Sequence, residues 1–160
     1  MNKNGKRRSA ASKPSLKSPV RHVLIMHGPN LNLLGEREPE VYGTMTLPEL
    51  NAKLRGAARK LGVTLRFFQA NGEGELLDWL HAQRKWADAL VINPGAFTHY
   101  SYALRDGIVA MPFPAVEVHL SDIQRREAFR RVSVIRDVCV AQFAGLGWKS
   151  YLEGLRLVCS

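Results

Sequence analysis

Two residues apart in a strand-like run, Glu117 and His119 fall on the same side of an extended chain, because side chains alternate faces along a strand. A carboxylate beside an imidazole fixes the tautomer of the ring and raises its basicity, which suits His119 to general-acid work. Next to them, the Leu120 and Ser121 backbone amides and the Asn93 side chain could hold a carboxylate or an enolate oxygen. A second candidate group lies in the polar segment Gly35 to Gly43, which is bounded by two glycines and carries Arg37 and Tyr42. A free tyrosine has a pKa near 10, so lowering it by two units takes roughly 2.7 kcal/mol of differential stabilisation. Arg37, always charged, is the obvious source. Tyr42 as phenolate would then remove a proton alpha to a carbonyl, with the segment acting as a lid. A metal reading fails on spacing, because His99 and His119 have no recognisable third ligand in His27 or Glu117.

These groups follow three short apolar runs. Val23 to Met26 leads into His27-Gly28-Pro29-Asn30, Ala89 to Ile92 into Asn93-Pro94 and His99, and Val116 into Glu117 to Ser121. In an open parallel sheet, ligands bind outside the carboxyl ends of the strands, so the three ends mark one crevice. Between them, strand and helix signals alternate. Thr46-Leu47-Pro48-Glu49 gives an N-cap, an early proline and a capping glutamate for a helix ending before Gly62. Val63 to Gln69 predicts a strand, Glu75 to Trp86 an amphipathic helix, Ser101 to Val109 a helix, Ala115 to Val118 and Val138 to Ala141 strands, and Trp148 to Val158 a helix. Five strands with crossover helices predict an α/β fold, a flavodoxin-like doubly wound parallel sheet.

The 160 residues suit one domain. The net charge of +9 is concentrated in residues 1–21, where Lys3, Lys6, Arg7, Arg8, Lys13, Lys17 and Arg21 meet no acid and no aromatic residue. Such a composition predicts a disordered basic tail, followed by a single catalytic domain over 22–160. The remainder is near neutral, so the tail is read as a solvated extension and a nucleic-acid partner is not expected. The alternative is that the tail is an arm for nucleic acid or another anionic surface. No apolar stretch suggests a membrane span or a secretion signal, and Cys139, in a strand-like run, and Cys159 have no metal spacing. Reduced thiols and a cytoplasmic location are the expectation.

The segments HGPNLNLLGEREPEVYG, NGEGELLDWLH, INPGAFTHYSYALRD and EVHLSDIQRREAFR, in this order, resemble the type II 3-dehydroquinate dehydratases over about residues 23–157. The resemblance implies a cofactor-free elimination of water from 3-dehydroquinate to 3-dehydroshikimate through an enolate, in the shikimate or quinate pathway. By the same resemblance, Tyr42 is the base, Arg37 lowers its pKa, Asn30 positions a water at the enolate, His119 is the acid and Glu117 orients it. Asn93, His99, Asp106, Leu120, Ser121 and Arg130 match substrate-binding positions, and a homo-oligomer of trimers assembled into a dodecamer is implied. The chain departs from the pattern at His27, Asp122, Gln124 and Val134 to Asp137. An Asp122 carboxylate about 5 Å from a bound carboxylate would repel it by roughly 3 kcal/mol at an effective dielectric near 20, whereas one turned to solvent would repel it far less. That penalty keeps open an alternative, a catalytically weak paralogue acting as a binding or regulatory protein.

Overall fold

The computed structural model describes residues 19–36, 38, 40 and 43–160. Residues 1–18, Arg37 and Tyr42 lie outside the described residues, and with them most of the basic segment and both candidate lid residues.

Five parallel strands form one sheet in the order β2-β1-β3-β4-β5: β1 His22–His27, β2 Thr64–Gln69, β3 Ala89–Asn93, β4 Ala115–Val118 and β5 Ala141–Phe143. Four helices of eight or more residues connect and follow them among the described residues: α1 Leu47–Leu61, α2 Glu73–Gln83, α3 Tyr102–Val109 and α4 Lys149–Val158. The chain steps outward from β1 to β2 and then returns past β1 to β3, so the winding reverses between β1 and β3. That reversal opens a crevice at the carboxyl ends of the two strands.

Both faces of the sheet are covered, which is why its strands are nearly continuously apolar. Val23, Ile25, Val91, Val116 and Val118 pack against Leu50 and Leu54 of α1 and Tyr151 and Leu155 of α4. Leu24, Met26, Leu90 and Ile92 pack against Leu76 and Leu80 of α2 and Leu104 and Ile108 of α3.

The sequence signals at α1 are realised as a capping box. Thr46 Oγ1 accepts from the Glu49 amide at 3.4 Å, the Glu49 carboxylate accepts from the Thr46 amide at 2.8 Å, and Gly62 closes the helix with φ of 70°. Helix α2 begins at Glu73, before the expected Glu75, and ends at Gln83 in place of Trp86, where a turn carries the chain into β3. The last strand is a larger correction. The run Val138 to Ala141 is not a strand: Arg136–Val138 forms a 3-10 turn, Cys139 is buried behind it, and β5 begins only at Ala141. Pairing of Val116 with Ala141 and of Val118 with Phe143 sets that register, and local apolar composition does not encode it. At the other end, Val20 already packs on the core, and the Arg21 and His22 amides both donate to Asp88 Oδ2 at 2.9 Å. Ordered contacts therefore begin before residue 22.

Candidate active site

A cleft of about 220 Å³ lies outside the carboxyl ends of β1, β3 and β4. Its walls come from the turn after β1 with Asn30, from Asn93 and His99 around the turn after β3, and from His119, Leu120 and Ser121 after β4. A segment farther along the chain adds Arg126 and Arg130.

The turn after β1 can approach β3 only because residue 28 is glycine. A Cβ there would sit 2.4 Å from the Pro94 carbonyl oxygen, well inside contact distance, so any side chain would push the two strand ends apart. Asn30 follows in the left-handed region at φ 66°, a conformation that asparagine tolerates, and its amide donates to Asn71 Oδ1 at 2.9 Å. Asn93 is buried at the end of β3. Its Oδ1 accepts from the Gly95 amide at 3.1 Å, and its side chain also meets the Tyr151 hydroxyl.

Glu117 and His119 meet as their spacing suggests. His119 Nε2 lies 2.7 Å from Glu117 Oε1, the carboxylate is fully buried, and the imidazole borders the cleft. With Nε2 donating to the carboxylate, Nδ1 is the ring nitrogen left for other partners. Burial alone would raise the Glu117 carboxyl. The hydrogen bond and charge of His119, joined by hydroxyl bonds from Thr98 and Ser133, outweigh that and hold it below the usual carboxylate range.

His99 is fixed differently, with Nδ1 donating to the Val132 carbonyl at 2.7 Å and the ring meeting Phe129 edge-on. That bond leaves Nε2 as an acceptor, suited to a hydroxyl group. After β4, the Leu120 and Ser121 carbonyls are occupied by the Gly147 and Gly145 amides, whereas no described residue accepts from the Leu120 or Ser121 amide. Two free amides beside the arginines form an anion pocket. Arg130 is paired with Glu127 at 3.1 Å and lies over the Phe129 ring. Among the described residues, no three His, Cys, Asp or Glu side chains converge as a metal-ligand set. No described helix is long and apolar enough to cross a membrane.

Three residues singled out in the sequence lie outside the cleft lining. Asp106 stands on α3 with its side chain 79% exposed, beside Arg105 at 3.7 Å, and does not border the cleft of its own chain. Asp122, which the sequence leaves either near the anion pocket or turned to solvent, accepts from the Gln124 amide at 2.9 Å and caps the 3-10 turn Ile123–Arg125. It is absent from the cleft lining. His27 is buried away from the cleft, because its place in β1 two residues after Ile25 turns it to the face covered by α1 and α4. Arg126, Thr98 and Ser133 are additions to the expected set. Arg126 sits in extended backbone between two 3-10 turns, so no local periodicity ties it to Arg130.

The profile of one family, Dehydroquinase class II, matches residues 21–159. A protein of Roseiflexus castenholzii named 3-dehydroquinate dehydratase is 55% identical over 130 residues, covering 81% of this chain and 83% of its own. A protein of the same name from Pelotomaculum thermopropionicum is 55% identical over 134 residues, covering 84% of this chain and 93% of its own. Among solved structures, the type II dehydroquinase of Butyrivibrio crossotus superposes with a TM-score of 0.86 at 36% identity, covering 88% of this chain and 98% of that one. The type II dehydroquinase of Propionibacterium acnes gives 0.83 at 37% identity, covering 93% of this chain and 100% of that one.

Proposed function

The chain belongs to the class II dehydroquinase family and is a hydro-lyase, and on that premise we propose that it dehydrates 3-dehydroquinate to 3-dehydroshikimate through an enolate, with Tyr42 as base and His119 as acid. The observation that carries the reading is the 2.7 Å contact between Glu117 and His119 at the edge of a cleft that also presents Asn30, Asn93, His99, two arginines and the Leu120 and Ser121 amides.

The substrate is an anion with a carbonyl and several hydroxyls, and the cleft offers a partner for each. Its carboxylate takes the Leu120 and Ser121 amides and Arg130. Hydroxyl groups meet His99 Nε2 and the Asn93 side chain. Tyr42, lowered by Arg37, removes the proton alpha to the ketone. The negative charge passes to the carbonyl oxygen, where a water placed by Asn30 stabilises the enolate. Collapse of the enolate expels the hydroxyl on the far carbon as His119 protonates it, and Glu117 keeps the imidazole aligned for that transfer. The product is a conjugated enone, and no cofactor enters any step.

Asp106, outside its own cleft, can serve as a substrate-binding residue only from a second copy. A homo-oligomer would let Asp106 reach a neighbouring cleft, and the family resemblance implies trimers assembled into a dodecamer.

One absorbance experiment tests the core of this reading. Purified protein mixed with 3-dehydroquinate should generate the ultraviolet absorbance of the enone without added metal or nucleotide. Binding of the substrate with no rise in absorbance would favour a binding or regulatory protein.

A further inference from the structure

We propose that Thr98 and Ser133 are positioning residues for the reaction, whose two hydroxyls fix the Glu117 carboxylate and, through it, the His119 imidazole. The inference rests on the reading of His119 as the acid. Thr98 Oγ1 donates to Glu117 Oε1, and Ser133 Oγ lies 2.9 Å from both carboxylate oxygens. The Arg136 amide donates to Ser133 Oγ at 3.1 Å.

Proton counting makes the arrangement directional. Each hydroxyl has one proton. With Arg136 filling an acceptor site on Ser133, the Ser133 proton is available to the carboxylate, and the 2.9 Å approach of Thr98 to Ser133 need carry no proton. Glu117 then accepts three bonds, from Thr98, Ser133 and His119, on a side chain with no exposure to water. A buried carboxylate stays ionised only when its lone pairs are met in this way.

Ser133 does not belong to the strand that carries the pair. It arrives on the segment that follows Arg130, and two bonds stitch that segment to the turn after β3. The Val134 amide donates to the Thr98 carbonyl, and His99 Nδ1 donates to the Val132 carbonyl, both at 2.7 Å. The same short stretch therefore sets Arg130, His99 and the third donor to Glu117. Removing a hydroxyl while keeping the backbone bonds should disturb the acid and spare the anion pocket, so the loss should fall on kcat and not on KM.

The test compares Thr98→Val, Thr98→Ser, Ser133→Ala and His119→Asn in the full-length protein by steady-state kinetics, with folding checked by thermal melting. Thr98→Val and Ser133→Ala should each lower kcat about tenfold, the size expected for a bond to a charged group, with KM within about threefold. Thr98→Ser, which keeps the hydroxyl and loses only a methyl, should retain kcat within about threefold. Unchanged kcat in both hydroxyl deletions, an equal loss in Thr98→Ser and Thr98→Val, or a rise in KM at constant kcat would each overturn the assignment. If Thr98→Val fails to fold, Ser133→Ala decides alone. An active His119→Asn would instead overturn the acid reading itself.

Discussion

His27 Nδ1 lies 2.7 Å from Tyr151 Oη, a single hydrogen bond that joins the end of β1 to helix α4 across 124 residues of chain. The other ring nitrogen, Nε2, is 2.9 Å from Asn51 Oδ1, an atom that can only accept. Nε2 must therefore carry the proton and Nδ1 must accept from the phenol, which makes the buried imidazole neutral. Burial drives the His27 pKa down to about 4, against a smaller opposing effect of the Asn51 bond. Burial likewise pushes the Tyr151 phenol up, so both partners are uncharged at neutral pH.

Burial of this imidazole makes stability sensitive to acid. The folded pKa of His27 lies below the unfolded value of 6.5, so between the two the unfolded chain binds the extra proton. Stability from this residue is complete above pH 6.5 and is lost as pH falls toward about 4. A gap of about two and a half pH units corresponds to roughly 3 kcal/mol at the acid end. Urea unfolding at pH 7 and pH 5 should show a loss of about 2 kcal/mol from this source. His27→Asn should flatten that pH slope, whatever it does to stability at pH 7. Equal slopes in the two proteins would rule the residue out as the origin.

Legibility in the sequence followed the range of the interactions. The α1 cap is written within four residues, and the Glu117 and His119 pair within three, so both could be read directly. The partners of His27 come from α1 and α4, 24 and 124 residues away, and no local pattern names them. The Thr98 and Ser133 contacts with Glu117 span 19 and 16 residues and join segments with no shared periodicity. Strand β5 escapes a local reading for the same reason: Val138 to Ala141 has strand composition, but its neighbour β4 selects Ala141–Phe143.

Replacement of the proposed base separates chemistry from binding. Tyr42→Phe removes one oxygen and keeps the ring, so a ligand mimicking the enolate should bind within about threefold of the unaltered protein. Turnover should fall by at least about a thousandfold, because no other residue is assigned to take the proton. Titration calorimetry and the enone assay measure the two quantities separately. Turnover within tenfold of the parent would remove Tyr42 from the mechanism.

Removal of residues 1–18 should leave both melting temperature and kcat unchanged. Those residues hold Lys3, Lys6, Arg7, Arg8, Lys13 and Lys17, with no acid or aromatic side chain among them. The contacts that anchor β1 begin after them, with Val20 on the core and Arg21 on Asp88. A fall of several degrees, or a slower enzyme, would show that the segment docks on the folded part.

Asp122 should not impair substrate binding, although its charge suggests that it would. Repulsion of a bound carboxylate requires the side chain to face the anion pocket, and its oxygen instead accepts from the Gln124 amide as the cap of Ile123–Arg125. Asparagine can make the same cap through its carbonyl oxygen. Asp122→Asn should therefore leave KM unchanged at low salt, where any long-range repulsion would be greatest. Asp122→Ala removes the cap and should cost about 1 kcal/mol of stability, read as a lower melting temperature. A tenfold drop in KM for Asp122→Asn, shrinking as salt is added, would place the carboxylate in the pocket after all.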